Sequence, residues 1–95
     1  MKETMPTWEI RITGLVQGVF FRAFTLDNAV LLGVHGWVRN EYDGSVSGVI
    51  QHESVEVLQQ LCDKLREGPP HSRVSGLEIN QLEQSERYER FEILR

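Results

Sequence analysis

WEIRITGLVQGVFFRAFTLDNAVLLG, residues 8–33, changes its hydrophobic period halfway along, and the change decides the fold. Trp8, Ile10 and Ile12 alternate with Glu9, Arg11 and Thr13, the period-two pattern of a strand with one buried face. Gly14 is expected to end that strand, and Gly18 punctuates the loop after it. From Phe21 onward, Phe21, Thr25, Ala29 and Leu32 recur at i, i+4, i+8 and i+11, one stripe of a helix. Gly33 is a natural C-cap. A strand thus passes through a short glycine-bearing loop directly into a helix.

Downstream, residues 35–39 and 45–50 read as strands on either side of Asn40-Glu41-Tyr42-Asp43-Gly44. Asp-Gly supplies the positive φ that a tight hairpin needs, so the two strands are expected to be antiparallel neighbours. Ser54 suits an N-cap with Glu56 in the first turn, and Leu58, Leu61, Cys62 and Leu65 form a second helical stripe that ends at Gly68-Pro69-Pro70. Residues 74–82 read as a strand with a bulge near Gly76, residues 84–87 as a loop, and residues 90–94 as a short last strand. The order β-α-β-β-α-β plus one short C-terminal strand predicts an α+β, ferredoxin-like (split βαβ) sandwich. Its antiparallel or mixed sheet carries both helices on one face. Residues 1–7 are expected to be a flexible tail and residues 8–95 a single domain.

The composition suits such a domain. Of 95 residues, 40% are hydrophobic and 25% charged, ordinary globular usage that argues against disorder. The single cysteine, Cys62, excludes an internal disulfide and a Cys-based zinc site, and points to a reducing, cytoplasmic setting. No apolar run approaches the roughly 18 residues of a membrane span, so no membrane partner is expected. Fourteen acidic residues against ten basic ones leave a net charge of −4, which disfavours nucleic acid as a partner. RNA-recognition modules share this element order, but they stack bases on aromatics in the third strand, and residues 45–51 contain none. A small anion held by a few local groups remains compatible with the charge.

Residues 14–22, Gly-Leu-Val-Gln-Gly-Val-Phe-Phe-Arg, are where such an anion would sit. Backbone N–H groups of the loop and first helical turn have no partners inside the secondary structure. Gly18 lets successive N–H groups converge into a nest, and the helix N-terminus adds partial positive charge. Arg22 in the first turn is mildly opposed by the dipole unless a ligand brings the negative charge, and its planar fork can pair two phosphate oxygens. A glycine-bearing turn with a surface arginine accounts equally for the loop taken alone. Asn40 likewise fits either turn chemistry or an amide that holds a small polar molecule such as water.

Taken together, residues 14–22 and the second stretch Gly-Trp-Val-Arg-Asn-Glu-Tyr-Asp-Gly-Ser-Val, residues 36–46, resemble the two signatures of the acylphosphatases, in order and at a fitting separation. The resemblance extends from about Trp8 to the C-terminus. It implies a hydrolase, independent of metal and cofactor, that cleaves the carboxyl-phosphate anhydride of small-molecule acyl phosphates to a carboxylate and inorganic phosphate. By the same resemblance, the backbone of Leu15, Val16, Gln17, Gly18, Val19, Phe20 and Phe21, with Arg22, binds the phosphoryl group, and inorganic phosphate or sulfate would occupy the same place. Arg22 and Asn40 are the implied catalytic side chains, Asn40 orienting the attacking water.

Other features read as structural. His35, His52 and His71 are dispersed and lack metal-ligand spacing, Glu41 and Asp43 read as solvated turn residues, and Cys62 lies on an apolar stripe. The first helix also carries Phe24, Leu26, Val30 and Leu31 off its main stripe. Either neighbouring loops cover them or an otherwise monomeric chain self-associates weakly through this helix.

Overall fold

The computed structural model describes residues 5–83 and 86–95; the first four residues of the expected tail, and Gln84 and Ser85 of the expected loop, lie outside them. Seven elements follow in the order β1 (Thr7–Leu15), α1 (Phe21–Leu32), β2 (His35–Asn40), β3 (Val46–Gln51), α2 (Val55–Glu67), β4 (Arg73–Leu82) and β5 (Phe91–Ile93). They form the expected ferredoxin-like α+β arrangement, with one five-stranded sheet in the order β4-β1-β3-β2-β5. All neighbours are antiparallel except β2 and β5, which run parallel.

β1, between β4 and β3, organises the sheet. Trp8, Ile10 and Ile12 are buried while Glu9, Arg11 and Thr13 face solvent, as period two requires. β1 starts at Thr7, which is buried and paired with both Gln51 and Leu82, and the Pro6 carbonyl accepts from the His52 N–H, so the fold reaches into the stretch expected as tail. At its other end β1 continues through Gly14 to Leu15. Thr13 pairs with Gly76 but Gly14 with Val74, so Ser75 is the extra residue of a bulge, beside the glycine where the hydrophobic pattern slips.

The helices cover the face that β1 buries. Phe21, Thr25 and Ala29 from α1 meet Leu58, Leu61, Cys62 and Leu65 from α2 in one core. α1 ends in a Schellman arrangement: Gly33 takes φ +73°, its N–H donates to the Val30 carbonyl, and the N–H of Val34 donates to that of Ala29 at 2.8 Å. The Ser54 hydroxyl caps α2 by accepting from the Val57 N–H. Of the apolar residues off the main stripe of α1, Phe24 and Leu26 pack against the core, while Val30 and Leu31 stay exposed. Burial pushes the Cys62 thiol up to about 11, which makes it an inert packing group.

Leu61 is wholly buried where α2 meets the sheet side of the core. Leu61→Ala should therefore lower unfolding free energy by about 2–5 kcal/mol, measured as a smaller urea midpoint at unchanged slope.

Candidate active site

Three local rules bring the site together at one end of the sheet. The corner between β1 and α1 is the first. Gly18 holds φ +76°, and Phe20, a non-glycine residue, holds φ +64° immediately before the helix. A left-handed conformation costs an L-residue with a Cβ roughly 1–2 kcal/mol, a strain that clusters at functional positions. Phe20 is 84% exposed while Phe21 is wholly buried, so the turn at Phe20 is what carries the chain from solvent into the core within one residue. Among the described residues, no backbone N–H from Val16 to Phe20 donates to a backbone carbonyl.

Arg22 is the second residue of α1, whose first turn contains no acidic side chain. Its guanidinium makes no ion pair among the described residues, whereas Arg11, Arg39, Arg66 and Arg90 each have a carboxylate partner.

Strand alternation supplies the third rule. Gly36, Val38 and Asn40 share the helix-facing side of β2, and Trp37 and Arg39 share the other. The end of β2 therefore aims Asn40 toward the β1–α1 corner. Its Oδ1 is buried and has no hydrogen-bond partner among the described residues. An orphaned buried acceptor is uncommon in a folded protein and calls for an explanation.

These groups share a cleft of about 550 Å³, lined by Val16, Gly18, Phe20, Phe21, Arg22 and Asn40. Of the phosphate-binding residues expected from sequence, Leu15, Gln17 and Val19 do not line it. Leu15 belongs to β1, Val19 packs against the core, and the Gln17 side chain turns to the β2–β3 hairpin. Ile93 and Arg95 form part of the cleft wall and were not expected there. Val38 pairs with Ile93 across the parallel β2–β5 contact, so a period of two from Phe91 brings Ile93 and then Arg95 to the helix side. Residues 90–94 read as a strand, but its neighbour could not be read from local pattern.

The acidic side chains of the hairpin lie elsewhere. Glu41 accepts hydrogen bonds from Ser47 and Arg39, which hold its carboxyl below the usual range. Asp43 accepts from the Ser45 hydroxyl at 2.6 Å and the Ser45 N–H at 2.9 Å, and pairs with Arg11. Both residues thus serve the turn, as expected. His35 lies against the Tyr88 carbonyl, and the His52 ring accepts from the Ser54 N–H. Among the described residues, no three His, Cys, Asp or Glu side chains are grouped as metal ligands would be.

The family model for acylphosphatase matches residues 8–93. This chain belongs to the acylphosphatase family. An acylphosphatase of Rhizobium etli is 50% identical over 76 residues, spanning 78% of this chain and 80% of that protein. One from Paraburkholderia xenovorans is 39% identical over 92 residues, 97% of this chain and 94% of its own. The crystal structure of the Bacillus subtilis acylphosphatase superposes with a TM-score of 0.89 at 31% identity, covering 96% of this chain and 100% of that one.

The hairpin that carries Asn40 has its own acid sensitivity. The Ser45 hydroxyl and N–H, with Arg11, bring the Asp43 carboxyl from its ordinary 3.8 down to about 2. Because the folded pKa is depressed, the stabilisation is complete above 3.8 and is lost as pH falls toward about 2. Asp43→Asn cannot titrate, so its thermal midpoint should fall less steeply than wild type over that interval; identical slopes would contradict the assignment.

Proposed function

We propose a division of labour for the acyl-phosphate hydrolysis that family membership assigns to this chain. The backbone N–H groups of the loop that starts at Val16 and enters α1 at Phe21, with the Arg22 guanidinium, cradle the phosphoryl group, and the Asn40 carboxamide directs the attacking water. The observation that carries this reading is the Asn40 Oδ1, a buried acceptor with no partner among the described residues, in the same cleft as an arginine that has no carboxylate partner among them. A water that donates one proton to this oxygen has its own lone pairs turned away from Asn40 and toward the cleft.

The chemistry asks for little more. The water oxygen forms a bond to phosphorus as the bond from phosphorus to the acyl oxygen breaks. The electron pair leaves with a carboxylate whose conjugate acid has a pKa of about 4. Such a group departs without a general acid. Transfer of this kind is commonly loose, with charge spread over the equatorial oxygens, so positioning and electrostatic stabilisation supply most of the catalysis. Neutral Asn40 cannot take the proton of the water, which passes instead to an oxygen of the phosphate being formed. Among the described residues, the side chains that line the cleft include no carboxylate or imidazole, so the donor set does not suit a divalent cation, whereas two arginines, Arg22 and Arg95, suit an anion. Inorganic phosphate is the expected product ligand. The buried, unpaired Cys62 supports placing the reaction in the cytoplasm.

Arg22→Ala should remove phosphate inhibition and lower kcat/KM for benzoyl phosphate by at least about 10²-fold, as expected for loss of a preorganised charged donor. Asn40→Ala should lower kcat by about 10²–10³-fold while the inhibition constant of inorganic phosphate changes little. Equal losses of turnover and phosphate affinity in Asn40→Ala would falsify its water-directing role. Wild-type turnover should also persist in excess chelator; a loss restored by a divalent cation would overturn the metal-free chemistry.

A further inference from the structure

Gln17 lies between Val16 and Gly18, which line the cleft, but its side chain reaches across to the β2–β3 hairpin. Its Nε2 donates one proton to the Glu41 carbonyl and the other to the Ser45 carbonyl, each at 2.8 Å. Each acceptor already holds one backbone bond: Gly44 N–H donates to Glu41 at 3.2 Å, and Glu41 N–H to Ser45 at 2.9 Å. A carbonyl oxygen has two lone pairs, so the single carboxamide completes both. Glu41 directly follows Asn40, and Ser45 directly precedes Val46, the residue opposite Asn40 in the sheet. The two acceptors therefore bracket the residue that reaches into the cleft. Among the described residues, no other hydrogen bond joins residues 16–20 to the hairpin.

We propose that the Gln17 carboxamide is a positioning residue that sets the separation between the phosphate loop and the Asn40 amide. This rests on the water-directing reading of Asn40 given above. Loop and strand are far apart in sequence, and packing alone holds each against the core without fixing their mutual spacing. Val16 and Val19 on either side of Gln17 are packed at or against the core, so the loop keeps its anchorage when the carboxamide is removed. In-line attack is sensitive to ångström-scale misplacement, which can cost about 10²-fold in rate.

The test is a double-mutant cycle with Gln17→Ala, Asn40→Ala and the pair, on benzoyl phosphate, with inorganic phosphate as inhibitor and thermal melts as a check of folding. Gln17→Ala should lower kcat by about 10- to 10²-fold while the phosphate inhibition constant stays within about threefold. In the Asn40→Ala background, the same substitution should change kcat less than about twofold, because there is no longer a side chain to position. Gln17→Glu, which keeps the length but loses both donors, should resemble Gln17→Ala or be slower, and it replaces that variant in the cycle if the alanine form does not fold. Losses that multiply in both backgrounds, or a parallel loss of phosphate affinity, would overturn the proposal and leave Gln17 as a support of the loop alone. An undiminished kcat in Asn40→Ala would instead overturn the water-directing reading, and this proposal with it.

Discussion

Arg22 stands in the first turn of α1, where aligned peptide dipoles already place partial positive charge and where no acidic side chain offsets it. Next to it, the loop from Val16 to Phe20 leaves its N–H groups without backbone acceptors among the described residues. Each of these is mildly unfavourable in the isolated molecule, and each becomes favourable once an anion is bound. The remainder of the fold supplies the means of tolerating that arrangement: a buried strand leading in, a helix anchored by Phe21, Thr25 and Ala29 leading out, and a neighbouring strand whose alternation aims Asn40 at the same point.

The sheet separates two electrostatic tasks by its two faces. On the open face Arg11 meets Asp43, Arg39 meets Glu41, and Arg39 also lies 5.0 Å over the Trp37 ring. Those exposed pairs neutralise charge locally, and each contributes little to stability. At the helix-side cleft Arg22 and Arg95 have no such partners among the described residues, and no Asp or Glu side chain among them lines the wall. A chain of net charge −4 can therefore still present a cationic cleft, because Asp43 and Glu41 are engaged at the hairpin and on the open face rather than in the cleft. Period two along β2 enforces the separation: Arg39 and Asn40 are adjacent in sequence and point to opposite faces.

The same periodicities explain how far the residues could be read unaided. The strand pattern in residues 8–13, the helical stripes and the caps at Gly33 and Ser54 are local, and each appears where local chemistry puts it. The bulge left its trace at Gly76. What escaped is non-local. That β5 lies parallel to β2, and so brings Ile93 and Arg95 to the cleft, depends on where a short strand docks after a long excursion of the chain. That Gln17 points its carboxamide at the hairpin depends on the spacing of two carbonyls 24 and 28 residues away. Loop membership was legible for Gln17; the task of its side chain was not.

Phe20 shows how such a corner stays folded. A residue with a Cβ in the left-handed region costs roughly 1–2 kcal/mol, and a ring that remains 84% exposed recovers little of that by burial. Its neighbour Phe21 is removed from water almost completely, which is worth about 1.5–3 kcal/mol. The two magnitudes are comparable, so strain at one position is offset by burial at the next. Were the corner relaxed by a right-handed residue 20, the chain would enter α1 in a different direction, and either Phe21 would leave the core or Arg22 would leave the cleft. The β1–α1 loop is thus held in an unfavourable conformation by the hydrophobic core beneath it. This coupling joins the stability of the domain to the geometry of its site.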